Sequence, residues 1–115
     1  MALVWKSEFN RYVRLQRNHK EMTVKKLAAL LQRQTAEIEM IHSFLGREPS
    51  VVLDIGCGLG IYDLAISRYF RTQPLFCLVD KTTSHEEESR VYYSYREKGA
   101  FYNNLDLTQQ FLSLN

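Results

Sequence analysis

Long apolar runs are missing from this 115-residue chain. No stretch approaches the roughly 20 residues that a membrane-spanning helix needs. The opening "MALVWKSEFN" has no basic segment leading into a sustained apolar one, so no secretory signal is read there. Cysteine is scarce. Cys57 and Cys77 lack zinc-type spacing and no secretory context suggests a bridge, so reduced thiols in a cytoplasmic protein are expected. The three histidines, His19, His42 and His85, are far apart, and no carboxylate–His spacing marks a metal site. They are expected as surface or partly buried structural residues. Internal repeats and low-complexity tracts are absent as well. At 45% hydrophobic and 24% charged residues, the chain has the composition of an ordinary globular protein of modest size.

A large excess of one charge is also lacking. The net charge of +2 does not argue for nucleic acid. Its distribution is uneven: residues 1–50 hold nine Lys and Arg against five Glu, and residues 51–115 hold six against eight Asp and Glu. A basic N-terminal half fits an anionic partner, but a solvated helix face is the simpler reading.

What is present is organised by period. Ser7 can cap a first helix carrying Phe9, Tyr12, Val13 and Leu15, with Trp5 packing just ahead. Thr23 offers an N-cap for a longer second helix. Its apolar positions, Val24, Leu27, Leu31, Ile38, Ile41 and Leu45, recur at helical spacing, weakened in the middle by Gln34 and Thr35. Gly46 is a C-terminal stop and Pro49 follows it. At residue 51 the period changes. "VVLDI" is a short continuous apolar run, as expected for a strand buried on both faces of a parallel sheet. Ile61, Leu64, Ala65 and Tyr69 then make a helical stripe, "RTQP" closes that helix, and "LFCLVD" is a second buried strand ending in an acid. Strand, glycine turn, helix and strand make a βαβ unit. "EEESRVYYSYREKG" reads equally as helix or strand, whereas "NLDLTQQFLSLN" reads as a helix capped by Asn103 or Asn104, with Leu105, Phe111, Leu112 and Leu114 apolar.

The chemistry concentrates in "VVLDIGCGLGIYDLAI". A glycine turn between a buried strand and a helix lets backbone approach a ligand closely, and the helix beyond offers unpaired N–H groups. Dinucleotide-binding turns use G-x-G-x-x-G. Here Gly56, Gly58 and Gly60 make G-x-G-x-G, and Ile61 stands where the third dinucleotide glycine belongs. Asp54 precedes the turn by two residues. A carboxylate there repels a pyrophosphate but welcomes an ammonium group. A turn that is merely structural leaves Asp54 at the end of a buried strand unexplained.

This stretch resembles motif I of the class I S-adenosylmethionine-dependent methyltransferases, which have a Rossmann-like fold. The resemblance covers residues 51–80 and extends to 103–115, where "NLDLTQQFLSLN" is similar to the family's second sheet helix. It implies an α/β fold: the Rossmann-like βαβ start of a doubly wound parallel sheet, preceded by two N-terminal helices, with the sheet incomplete. Residues 1–49 are then a helical segment, able to cap the acceptor site with Trp5, Phe9, Tyr12 and Arg14, and residues 50–115 a partial methyltransferase domain. The implied cofactor is S-adenosylmethionine. Asp80, twenty residues after Gly60, would take the ribose hydroxyls in a charge-assisted pair of hydrogen bonds. Asp54 would orient the methionine end through water or the turn, and Gly56, Gly58 and Gly60 would let that moiety lie across the turn. Cys57 and Leu59 would contribute backbone contacts. Lys81 would lie near the adenosine, its role not set by the motif.

The family's later strands and loops, which commonly hold the adenine and the methyl acceptor, have no counterpart in residues 1–115, so no catalytic residue is named. A fragment of a longer methyltransferase acting on an unknown acceptor, a small molecule being favoured, is the expectation. The alternative is a non-catalytic module that needs a homodimer or partner chain to cover Leu53, Ile55, Leu75, Phe76 and Leu78. The aromatic cluster Tyr92, Tyr93, Tyr95, Phe101 and Tyr102 could cover adenine or acceptor, with packing against the sheet helices the simpler reading. "EEE" at 86–88 reads as a solvated charge run.

Overall fold

The structure is a computed structural model that describes residues 2–10, 13, 21–80 and 104–115. Lys81, the "EEE" run, the tyrosine-rich connection, His19, His85, Tyr12 and Arg14 lie outside the described residues. Of the first expected helix, Phe9, Asn10 and Val13 are described, and all three have helical backbone.

Helix α1, Val24–Leu45, starts and stops where its end residues dictate. Thr23 is extended and its hydroxyl accepts from the Lys26 N–H at 3.3 Å, satisfying one of the first-turn amides. At the other end Gly46 turns left-handed and its N–H bonds to His42 O at 3.0 Å. The buried face is Leu27, Leu31, Gln34 and Ile38, a spacing of four, three and four that keeps one side of the helix inward. The expected apolar stripe is therefore only half right. Val24, Ile41 and Leu45 are exposed, together with Met40 and Phe44, while Gln34, the expected weak point, belongs to the buried face.

Strands β1, Val51–Ile55, and β2, Leu75–Val79, pair in parallel, with Val51 opposite Leu75 and Ile55 opposite Val79. Helix α2, Ile61–Tyr69, makes the crossover and packs on α1. The described residues thus form an α/β unit with the order β1, α2, β2 and a two-stranded parallel sheet. His42 of α1 meets Tyr69 at the end of α2 through Nδ1 and the phenol at 3.1 Å, and stacks edge-on against Tyr69 and Phe70.

The sheet corrects one expectation. Successive strand side chains alternate between faces, and the two faces differ. Val51, Leu53 and Ile55 of β1 and Leu75, Cys77 and Val79 of β2 are exposed, Ile55 at 76% and Leu75 at 69%. Val52, Asp54, Phe76 and Leu78 are half-buried. The strands are buried on one face rather than two, and the residues expected to need a cover divide accordingly. Leu53, Ile55 and Leu75 are bare, whereas Phe76 and Leu78 are partly covered.

Helix α3, Leu105–Leu114, is capped by Asn104, whose side-chain oxygen accepts from Asp106 N–H at 2.9 Å. It buries Thr108 and Phe111. Phe111 meets Phe9 and Trp5, and those two meet each other, all edge-on with ring centroids 5.4–5.8 Å apart. Asn10 fastens this corner by accepting from Trp5 Nε1 and from Met22 N–H. At the C-terminus of α3, the Asn115 amide exchanges two hydrogen bonds with the backbone of Val4, at 2.7 and 3.1 Å. One buried cluster runs from Phe9 and Val13 through Leu27 and Leu31 to Leu59, Leu64 and Phe111. Among the described residues, no helix is long and apolar enough to cross a membrane.

Phe111 is fully buried at the meeting point of the N-terminal segment and α3. Phe111→Ala is expected to lower the unfolding free energy by about 3–5 kcal/mol. Urea denaturation followed by fluorescence of Trp5, the one tryptophan, measures it; an unchanged midpoint would show that this corner contributes nothing to the core.

Candidate functional site

The carboxyl ends of β1 and β2 converge on the loop Gly56–Gly60. The loop continues the sheet before leaving it: Gly56 N–H bonds to Val79 O at 2.6 Å. It then tightens, with Gly60 N–H bonding to Cys57 O at 2.9 Å, and Gly60 O receives the first α2 bond from Leu64 N–H. Two of its glycines are required for different reasons. Gly56 has φ +82° and open space where a side chain would stand, so a ligand can come against the backbone there. Gly60 has φ +78°, and a Cβ would lie 3.0 Å from Leu112 Cδ1, so α3 is seated directly on the loop.

The central peptide is held from both sides. Gly58 N–H donates to Asp80 Oδ2 at 2.7 Å, and Thr108 Oγ1 donates to Gly58 O at 2.7 Å in a buried position. Leu59 is not a surface loop residue, because its side chain is in the core. Of the expected site residues, Asp54, Cys57 and Asp80 are half-buried around this loop, Gly56 is exposed at its mouth, and Gly58 and Gly60 are buried within it. Lys81 lies outside the described residues. Burial, and after it the charges of Asp80, Asp54 and Asp63, push the Cys57 thiol up to about 11. It is therefore a protonated thiol at neutral pH and a poor nucleophile.

Besides Thr108, two residues of the site were not read as such from the sequence. Asp63, in the first turn of α2, is 1% exposed, and neither of its carboxyl oxygens has a hydrogen-bond partner among the described residues. Asp54 lies beside it, so two acids face each other with no donor between them unless one carries a proton. Burial first, then the Asp54 charge, push Asp63 up to about 7. Gln34, on the inner face of α1, is 7% exposed and its Oε1 is likewise buried without a partner. Gln34, Asp54, Gly56, Cys57, Ile61 and Tyr62 line part of an open cavity of about 430 Å³ at this end of the sheet. The signal for Gln34 was its place in register with Leu27, Leu31 and Ile38. Asp63 gave a weaker one, because an acid in the first helical turn ordinarily serves the helix dipole from solvent.

The buried oxygens of Asp63 and Gln34 that have no partner among the described residues are acceptors, as are the carboxylates of Asp54 and, across the loop, Asp80. Such a set suits a ligand bearing an ammonium group and hydroxyls, and disfavours phosphate. Among the described residues no group of three or more His, Cys, Asp and Glu could hold a metal ion.

The sign of the Asp63 effect follows from its direction. Its ordinary value is 3.8, so above that pH the unfolded chain gives up a proton that the folded chain retains. Stability from this group is complete at acid pH and is lost as pH rises through about 7. The urea midpoint is therefore expected to fall between pH 5 and pH 8. Asp63→Asn should abolish that fall and stabilise the chain at pH 8 by about 1–3 kcal/mol; parallel profiles for the two proteins would refute the assignment. Comparison of the chain with known proteins finds no matching family model, no similar curated protein and no similar solved structure.

Proposed function

We propose that the chain carries the S-adenosylmethionine-binding part of a class I methyltransferase with a Rossmann-like sheet. The observation that carries this reading is the set of acceptor side chains, Asp54, Asp63 and Gln34, beside a loop that is open at Gly56 and answered across the sheet by Asp80. Those residues fit the cofactor's polar ends. Asp54 and the Gln34 side-chain oxygen would hold the ammonium of the amino-acid end. Asp80 would receive the ribose hydroxyls, its carboxylate already oriented by Gly58 N–H. Gly56 would leave room for the cofactor against the backbone. When bound, S-adenosylmethionine supplies a methyl group activated by its sulfonium. The protein's part is placement, since holding donor and acceptor in line removes most of the entropic cost of their meeting. A cytoplasmic setting accords with this reading, as Cys57 and Cys77 are both free.

Titration calorimetry with S-adenosylhomocysteine tests it. Binding is expected, and Asp80→Ala should weaken it about ten- to hundredfold, the worth of hydrogen bonds to a charged group. Binding that ignores Asp80→Ala would remove the ribose assignment, and absence of binding would remove the cofactor.

A second reading, a non-catalytic module that pairs with another chain, has its own support. Val51, Leu53, Ile55, Leu75 and Val79 form a contiguous apolar face on the exposed side of the sheet, and such patches commonly mark interaction surfaces. If a second copy covers it, sedimentation velocity at tens of micromolar should show a dimer that Ile55→Lys returns to monomer. A monomer at all concentrations argues against self-pairing.

A further inference from the structure

The cofactor reading uses the buried acid Asp63 only as one acceptor of the set, and the fold does not require a carboxyl there. Its place in α2 is on the inner face, between Ile61 and Leu64, both buried. An aspartate there whose two oxygens have no hydrogen-bond partner among the described residues needs a reason. The groups acting on it are few. Asp54 faces it from β1, through charge and through a carboxyl–carboxyl contact. The Cys57 thiol lies in the same field from the loop. On α1, Gln34 has a buried side-chain oxygen, and Glu37 acts on the neighbouring Tyr62 rather than on Asp63. The amide of Asp63 itself pulls weakly the other way. A proton on one acid turns the contact between Asp54 and Asp63 from repulsion into a hydrogen bond. The upward displacement of Asp63 agrees with its being the holder.

The cavity places a second use beside this pair. Asp54 is only half-buried and lines the cavity together with Gln34, so it joins the buried acid to the space where a ligand would lie. A cation arriving against Asp54 competes directly with the proton behind it.

We propose that Asp63 carries a proton against Asp54 before ligand binds, and releases it to solvent when an ammonium group docks between Asp54 and Gln34. This rests on the reading of the site as one for S-adenosylmethionine, whose amino-acid end supplies that ammonium. The balance is simple: the O–H bond of Asp63 breaks, the proton leaves through Asp54 to buffer, and one positive charge replaces another. Asp63 is thus a positioning residue that acts through Asp54, and it makes occupancy of the site depend on pH.

The test compares S-adenosylhomocysteine with 5′-methylthioadenosine, which keeps the adenosine and lacks the amino-acid end. Calorimetry between pH 5 and pH 8.5 is expected to show affinity for S-adenosylhomocysteine rising about tenfold per pH unit below 7 and levelling above it. Affinity for 5′-methylthioadenosine should stay flat. At pH 6 the heat of S-adenosylhomocysteine binding should differ between phosphate and Bis-Tris by the difference of their ionisation heats for about one proton per site. Asp63→Asn should flatten the profile. The buffer comparison on the unaltered chain decides the matter even if that variant does not fold. Binding of S-adenosylhomocysteine with no pH slope and no proton release overturns the proposal and leaves the cofactor reading standing. Failure of both ligands to bind overturns the two together.

Discussion

The peptide of Gly58 is the point on which the arrangement turns. Its N–H is taken by the Asp80 carboxylate at the end of β2, and its carbonyl by the Thr108 hydroxyl from α3. A glycine-rich loop has more conformational freedom to lose than any other kind of segment, so its order has to be imposed from outside. Here a charged hydrogen bond on one side and a buried neutral one on the other impose it. The consequence spreads in both directions. Toward the core, Leu59 is drawn inward and Leu112 closes on Gly60. Toward solvent, Gly56 is left open at the mouth and Asp54, Cys57 and Asp80 are gathered within each other's fields.

The acid pair beneath the loop sets the electrostatic character of that end of the sheet. A buried carboxyl beside a second one is an arrangement that stability alone does not favour. It lies in a core that is mostly apolar, with Gln34 and Thr108 the other buried polar residues among those described. Burial first, and after it the charges of Asp80 and the acid pair, keep the Cys57 thiol protonated, which makes the loop chemically quiet although it contains a cysteine.

Much of the fold was legible because local rules agreed with one another. Thr23, Gly46 and Asn104 are residues whose side chains or backbone freedom end helices, and they do so here. The change from a helical to a strand-like apolar pattern at Val51 marks β1 correctly, and the spacing of Leu75 to Asp80 marks β2. What local pattern does not encode is which face of a short apolar strand meets a neighbour. "LFCLV" is apolar on both sides and in "VVLDI" the one acid, Asp54, falls on the more covered side, so only the packing of the helices separates Val52 from Leu53. The site divided in the same way. That Asp54, Cys57, the glycines and Asp80 cluster was readable because the turn and its spacing bring them together at the carboxyl ends of the strands. Gln34, Asp63 and Thr108 were not, because each acts across a contact between elements. Thr108 and Gly58 are 50 residues apart, and nothing in either neighbourhood names the other.

The exchange between Val4 and Asn115 has a kinetic meaning. It joins positions 111 residues apart, and contacts of such separation form late because closing a long loop costs entropy before any contact rewards it. The aromatic corner of Trp5, Phe9 and Phe111 depends on the same closure. The loop-closure cost therefore falls on the seating of α3, and with it on the Thr108 bond to Gly58. Through Thr108 the order of the glycine loop is coupled to the packing of the N-terminal segment against α3.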